Sequence, residues 1–204
     1  MIDKLRQNAR RPKEDEYGNA MLERMNLRHQ ELSRWGFSHL SVKGCKAALD
    51  IGCGGGKNLE TMLKAEPGTR VCGIDYSMAS VKKSIEVNQE AVRDGRAEIT
   101  LGSVEKLPYE KESFSIATAF ETVYYWPELE ACFREVLRVL TPGGRFLICN
   151  EDSSLKGNEE IGEFLHMTFY TAEDLERLLL SAGFQNVKGH THPNGKWICV
   201  VGEN

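Results

Sequence analysis

Four of the five residues from 52 to 56 are glycine, and they follow directly on a short apolar run in ALDIGCGGGKN, residues 48–58. A loop so poor in side chains lets a ligand lie against the backbone, and the helical pattern behind it would turn free N–H groups toward that ligand. The spacing is not that of a dinucleotide fingerprint: counted from Gly52, the sixth place of G-x-G-x-x-G is Lys57. Asp50 stands just before the loop, where a carboxylate would repel a pyrophosphate and attract a ligand that is positively charged at this end. A second carboxylate, Asp75, closes the apolar run RVCGID, and a carboxylate at a strand tip can accept both hydroxyls of a ribose. Tyr76, next to it, is placed to lie against a purine ring. Farther on, FSIATAFETVYYWP sets Glu121 at the end of an otherwise apolar run, so this carboxylate is expected to be either paired or functional. Tyr124 and Tyr125 follow, with phenols that can orient a nucleophile and ring faces that can stabilise a cation.

Those residues need a scaffold. From residue 46 onward, short apolar runs alternate with longer helical patterns, the arrangement of an α/β domain with a largely parallel sheet. The expected strands are AALDIG, RVCGID, AEITLG, FSIATAF, RFLICNE, QNVKGH and KWICVV. Ser77 is placed to cap a helix running to Arg93, with Gly95 as its stop. Leu129, Cys132, Phe133, Val136, Leu137 and Leu140 form a helical stripe behind Pro127. Thr171 and Asp174 read as a capping box, with Leu175, Leu178, Leu179 and Ala182 buried and Gly183 as the stop. The turn residues Pro193, Asn194 and Gly195 join the last two strands as an antiparallel hairpin. Ahead of all this, residues 1–18 read as a solvated, mobile arm, and Met21, Met25, Leu32 and Trp35 mark an amphipathic helix. That helix would carry His29 over the site if it closed as a lid.

The 204 residues suit one core, and 26 Lys+Arg against 30 Asp+Glu give a net charge of −4 with no basic stripe, which argues against nucleic acid as a partner. No apolar run approaches the roughly 20 residues of a membrane span, and the first residues lack the apolar region of a signal peptide, so the cytoplasm is the expected location. The six cysteines form no CxxC pair and no His stands at ligand spacing; packed, reduced thiols and no metal are expected.

In this order, ALDIGCGGG, GIDYS, GSVEKLPY, LTPGGRFLI and YTAEDLERLLLSAGF resemble the class I S-adenosylmethionine-dependent methyltransferases of the compact small-molecule type, over about residues 47–201. The resemblance implies a Rossmann-like seven-stranded sheet in the order 3-2-1-4-5-7-6, strand 7 antiparallel, with helices on both faces. It divides the chain into an N-terminal arm and helical lid, residues 1–42, and a methyltransferase domain, residues 43–204. It implies S-adenosyl-L-methionine as cofactor and S-adenosyl-L-homocysteine as product. Asp50, Gly52, Cys53 and Gly54 would face the methionine part and Asp75 the ribose, with Tyr76, Ser103 and Val104 at the adenine and Phe120 and Glu121 completing the pocket. Ser103 stands where many relatives carry Asp, and Tyr124 and Tyr125 stand where a His-His pair is frequent. Tyr124, Tyr125, Glu121 and His29 are the candidate catalytic residues. The implied partner is a small-molecule acceptor, and the chain would act as a monomer or homodimer. Two other readings are a catalytically idle domain that binds the cofactor as a sensor or partner subunit, and a nicotinamide-dependent oxidoreductase.

Overall fold

The computed structural model describes residues 4–204. Strands β1 (Ala47–Ile51), β2 (Arg70–Asp75), β3 (Ala97–Leu101), β4 (Phe114–Phe120), β5 (Leu140–Asn150), β6 (Gln185–Thr191) and β7 (Ile198–Glu203) form one sheet in the order β3-β2-β1-β4-β5-β7-β6. Strands β1 to β5 pair in parallel, and β7 runs antiparallel to both β5 and β6. This is the order and the reversed strand that the resemblance implies. The helices are α1 (Lys4–Gln7), α2 (Glu16–Arg28), α3 (Gln30–Ser38), α4 (Lys57–Ala65), α5 (Met78–Val87), α6 (Gln89–Arg93), α7 (Leu129–Val139), α8 (Glu159–Leu165) and α9 (Ala172–Ala182). None among the described residues is long and apolar enough to cross a membrane.

The central strands read as almost unbroken apolar runs because helices cover both their faces. On one face Leu49, Ile74, Ala117, Phe146 and Ile148 pack with Phe133 and Val136 of α7 and Leu175 and Leu179 of α9. On the other, Ala48, Val71, Ile116, Leu147 and Cys149 pack with Leu32 of α3 and Leu59 and Met62 of α4. All six cysteines are buried and free. The Thr171–Asp174 capping box forms, Gly183 ends α9 at φ 109°, and Ser77 accepts from the Ser80 N–H to cap α5.

Three expected boundaries shift for local reasons. The helix after Ser77 breaks at Asn88, whose side-chain amide donates to Ser84 O and Gly56 O and so ties the break to the glycine loop. The N-terminal helix breaks at His29, which ends α2 and starts α3. Leu140 opens β5 instead of closing α7, because its neighbours are already bonded to β4.

The largest correction concerns the arm, of which residues 1–3 lie outside the described residues. Its remainder is no solvated tail. Asn8 is buried and accepts from the Lys13 N–H at 2.8 Å, Pro12 is buried, and the Ser77 hydroxyl donates to Pro12 O at 2.6 Å. The Tyr76 hydroxyl donates to Arg10 O, and Glu14 pairs with Lys82. Some of its charges lie against the domain: the Arg10 and Arg11 guanidinium groups lie over the rings of Tyr125 and Tyr76 at 5.6 and 5.1 Å. We call residues 8–14 the strap.

Helix α3 is anchored more firmly still. Leu32 is fully buried, and a Cβ on Gly36 would come within 2.7 Å of the Phe120 ring and 3.0 Å of Cys149 Sγ. Trp35 packs edge-on to His39 and His192, and His39 stacks on His190 at 4.0 Å, which fastens the end of α3 to the β6–β7 hairpin. Leu32→Ala is therefore expected to cost about 3 kcal/mol of unfolding free energy, read as a shifted midpoint in urea. A cost below about 1 kcal/mol would show that α3 rests on the sheet without belonging to its core.

Candidate active site

The carboxyl ends of β1, β2 and β4 open into a cavity of about 450 Å³, roofed by the strap and α2. Its floor is the glycine loop. Gly52, Gly54 and Gly56 all have left-handed φ, at 75°, 50° and 80°. Gly52 is obligatory, since a Cβ there would sit 2.3 Å from Thr122 Cγ2, whereas a Cβ on Gly54 would meet nothing within 4 Å. At Gly54 the backbone thus faces open space. Side chains from elsewhere hold the loop: Asn26 of α2 donates to Gly55 O and Asn88 to Gly56 O, both at 3.0 Å.

Asp75 ends β2 beside this loop. One carboxylate oxygen accepts from the Gly54 N–H at 2.9 Å and the other from the Ser77 N–H at 2.8 Å. Tyr76 borders the cavity with the strap across it, and Val104 and Ser103 lie on the same wall. The Ser103 hydroxyl donates to Glu105 at 2.9 Å.

Asp50 departs from expectation. It lies one residue inside β1, so its side chain stays at the level of the sheet and does not border the cavity. Its Oδ1 accepts from the Thr118 hydroxyl at 2.6 Å, Oδ2 has no donor, and burial with Asp75 nearby pushes the carboxyl up to about 7.

The opposite end is built on the turn after β4. Phe120 packs on Phe37, and Glu121 follows in a left-handed backbone conformation at φ 59°. Its Oε1 accepts from the Glu151 N–H and, at 3.1 Å, from the Tyr124 hydroxyl. Burial, with Glu151 and Asp152 adding negative charge, raises the Glu121 carboxyl to about 8. Tyr124 is buried, and its hydroxyl also accepts from the Asp152 N–H at 3.0 Å. This phenol holds Glu121 and the chain after β5 in place. Tyr125 lies under the Arg10 guanidinium. His29 borders the same end, with Nε2 4.0 Å from Glu151 Oε2; burial and then Arg28 lower it to about 4, so the imidazole is neutral.

Of the residues singled out by sequence, Gly52, Cys53, Gly54, Asp75, Tyr76, Ser103, Val104, Phe120, Glu121, Tyr124, Tyr125 and His29 all line this one cavity, and Asp50 alone does not. Sequence reasoning missed Arg10 and Pro12 of the strap, Asn26, and His166 and Thr168 after α8. Nothing in their spacing marks them, since each is remote in sequence from the loop it meets.

Residues 49–148 match the family model described as a methyltransferase domain, and they span the glycine loop, Asp75 and Glu121. The chain belongs to the class I S-adenosylmethionine-dependent methyltransferases. An O-methyltransferase, resE, of Aspergillus sclerotiorum is 26% identical to this methyltransferase domain protein over 170 residues, covering 80% of this chain and 64% of the relative. The 27-O-demethylrifamycin SV methyltransferase of Amycolatopsis mediterranei is 32% identical over 126 residues, covering 59% and 46%. A solved chain from the complex of the Haloferax volcanii Trm112 methyltransferase activator with a methyltransferase superposes with a TM-score of 0.82 at 17% identity, covering 100% of this chain and 98% of that one. The chain spans less than two thirds of the length of the curated relatives it matches.

Because the folded Glu121 carboxyl holds its proton more tightly than an unfolded one, stability is greatest below the ordinary value of 4.5 and falls as pH rises toward about 8. Glu121→Gln removes that slope. The variant is expected to gain stability relative to the parent as urea unfolding is repeated from pH 5 to pH 8, and a difference that stays constant across this range would contradict the assignment.

Proposed function

We propose that the chain is an S-adenosyl-L-methionine-dependent methyltransferase acting on a small-molecule acceptor, with S-adenosyl-L-homocysteine as product. The observation that carries this reading is that one cavity joins an open glycine loop and a strand-end carboxylate to an acidic and aromatic far end. The Asp75 carboxylate accepts from two backbone N–H groups and from the Ser80 side chain, which leaves lone-pair capacity for a ribose hydroxyl. Gly52, Cys53 and Gly54 offer backbone to the methionine part, and Tyr76, Val104 and Ser103 flank the base. Since the Ser103 hydroxyl is turned to Glu105, its backbone is the better contact. Asp50 acts from beneath, as a buried carboxyl tied to Thr118.

When bound, the cofactor supplies an electrophilic methyl group on a sulfonium. The protein's part is to align an acceptor with it and keep water out. Tyr125 and Phe120 present aromatic surface toward that centre, and Glu121, held by Tyr124, positions a polar group of the acceptor. His29 lines the cavity wall as a neutral imidazole that resists protonation, so it serves to contact the acceptor and not as the base. Residues 1–42 serve as a cap over the domain of residues 43–204, with the strap as its movable part and α3 as its fixed brace. Similarity to an enzyme acting on rifamycin supports a small-molecule acceptor, and six buried free thiols suit a reducing compartment such as the cytoplasm.

Calorimetry with S-adenosylhomocysteine should show binding where NAD shows none. Asp75→Ala should weaken that binding by about 1.5–3 kcal/mol, the worth of charge-assisted bonds to the ribose. Transfer of labelled methyl into a pooled metabolite extract tests the activity itself. Unchanged affinity in the variant would overturn the cofactor assignment, and binding without transfer to any metabolite would favour a sensor.

A further inference from the structure

His29, Glu121 and Glu151 come from three separate places, the α2–α3 junction and the turns after β4 and β5, yet their ligand atoms all lie within 4.8 Å of one another. His29 Nε2 and Glu151 Oε2, at 4.0 Å, are too far apart to be hydrogen-bonded. Tetrahedral ligand atoms each about 2.1 Å from a shared metal are about 3.4 Å apart, so this pair would close by roughly half an ångström on one ion. Closing the widest gap, 4.8 Å at most, asks for roughly 1.4 Å of combined side-chain movement.

The carboxylates are held ready. The left-handed turn at Glu121 and the Glu121 N–H bond to Cys149 O, 3.0 Å, fix where its side chain starts. Both donors to Glu121 fall on Oε1, which leaves Oε2 without a hydrogen-bond donor among the described residues. The cation now closest is Arg28, 2.6 Å from Glu151 Oε2, whose side chain is 56% exposed and can swing into solvent.

We propose that His29, Glu121 and Glu151 are a three-ligand site for a divalent transition-metal ion at the acceptor end of the cavity. One imidazole nitrogen and two carboxylate oxygens suit Mn²⁺ or Zn²⁺, whereas Ca²⁺ takes an all-oxygen set and Mg²⁺ keeps most of its waters. Three protein ligands leave at least one position open, and the cavity bordered by His29 and Glu121 is where an oxygen of the acceptor would fill it. The acceptor's part rests on the methyltransferase reading; the binding of the ion does not.

The test uses the full chain, stripped of metal by a chelator, titrated with Mn²⁺ and followed by electron paramagnetic resonance of the free ion. One Mn²⁺ per chain should bind and be displaced by Zn²⁺. Glu151→Gln and His29→Ala should each weaken it at least tenfold, and Arg28→Ala, which removes the competing cation, should tighten it. If either weakening variant fails to fold, the direction of the Arg28→Ala effect decides. Absence of Mn²⁺ and Zn²⁺ binding overturns the site, including an outcome in which an alkylammonium ion binds there instead; so does Mn²⁺ binding that the variants leave unchanged. Calorimetry with S-adenosylhomocysteine on the same samples separates the two readings, since loss of either kind of binding with the other intact rejects only the reading that it tests.

Discussion

The carboxylate of Asp75 links the glycine loop, the start of α5 and, through Ser77, the strap. Through Gly54 it sets the glycine loop, through the Ser77 N–H it starts α5, and Ser77 in turn holds the strap by Pro12 O. Such a carboxylate is almost wholly buried, which ordinarily costs free energy, and the two backbone donors offset that cost while keeping it ionisable. The floor, wall and roof of the cavity therefore share one side chain, alongside the ties that Asn26, Asn88, Tyr76 and Lys82 supply. Removing it would loosen the loop and the strap together, so effects on binding and on closure are coupled there.

Much of this was legible in the sequence, for identifiable reasons. Glycines that need left-handed backbone, a Thr–Asp capping box and apolar runs buried on both faces are local signals, and each formed where its residues stand. What was illegible depends on contacts remote in sequence. The direction of Asp50 follows from strand phase and from a hydroxyl on β4, and the strap's order follows from donors on Tyr76 and Ser77. A charge run commonly marks a free segment, whereas the strap keeps its charged side chains at the surface and is docked through its arginines on tyrosine rings and its backbone carbonyls. Likewise Tyr124 and Tyr125 look equivalent in sequence. Both line the cavity, yet the Tyr124 hydroxyl is tied to Glu121 and Asp152 while the Tyr125 ring lies under Arg10, a difference that only the fold creates.

The two ends of the cavity are electrostatically distinct. At the loop end, acidic character is neutralised by backbone N–H groups, which leaves a site for hydroxyls and backbone contact. At the far end Glu121 accepts from the Glu151 N–H and the Tyr124 hydroxyl, Glu151 pairs with Arg28, and burial keeps His29 neutral. A positively charged centre is favoured from the far end, where two carboxyl groups lie close together. Neighbouring elements enforce the spacing: α3 is locked to the sheet and hairpin, which fixes the cavity on that side.

Amide hydrogen exchange with and without S-adenosylhomocysteine tests this account most directly, since it reads loop, wall and roof at once. The coupling through Asp75 predicts that protection rises together at the Gly54 and Ser77 amides and across residues 8–14, with α3 little changed. Protection that rises at the loop while residues 8–14 exchange as fast as before, or that does not change anywhere, would contradict it.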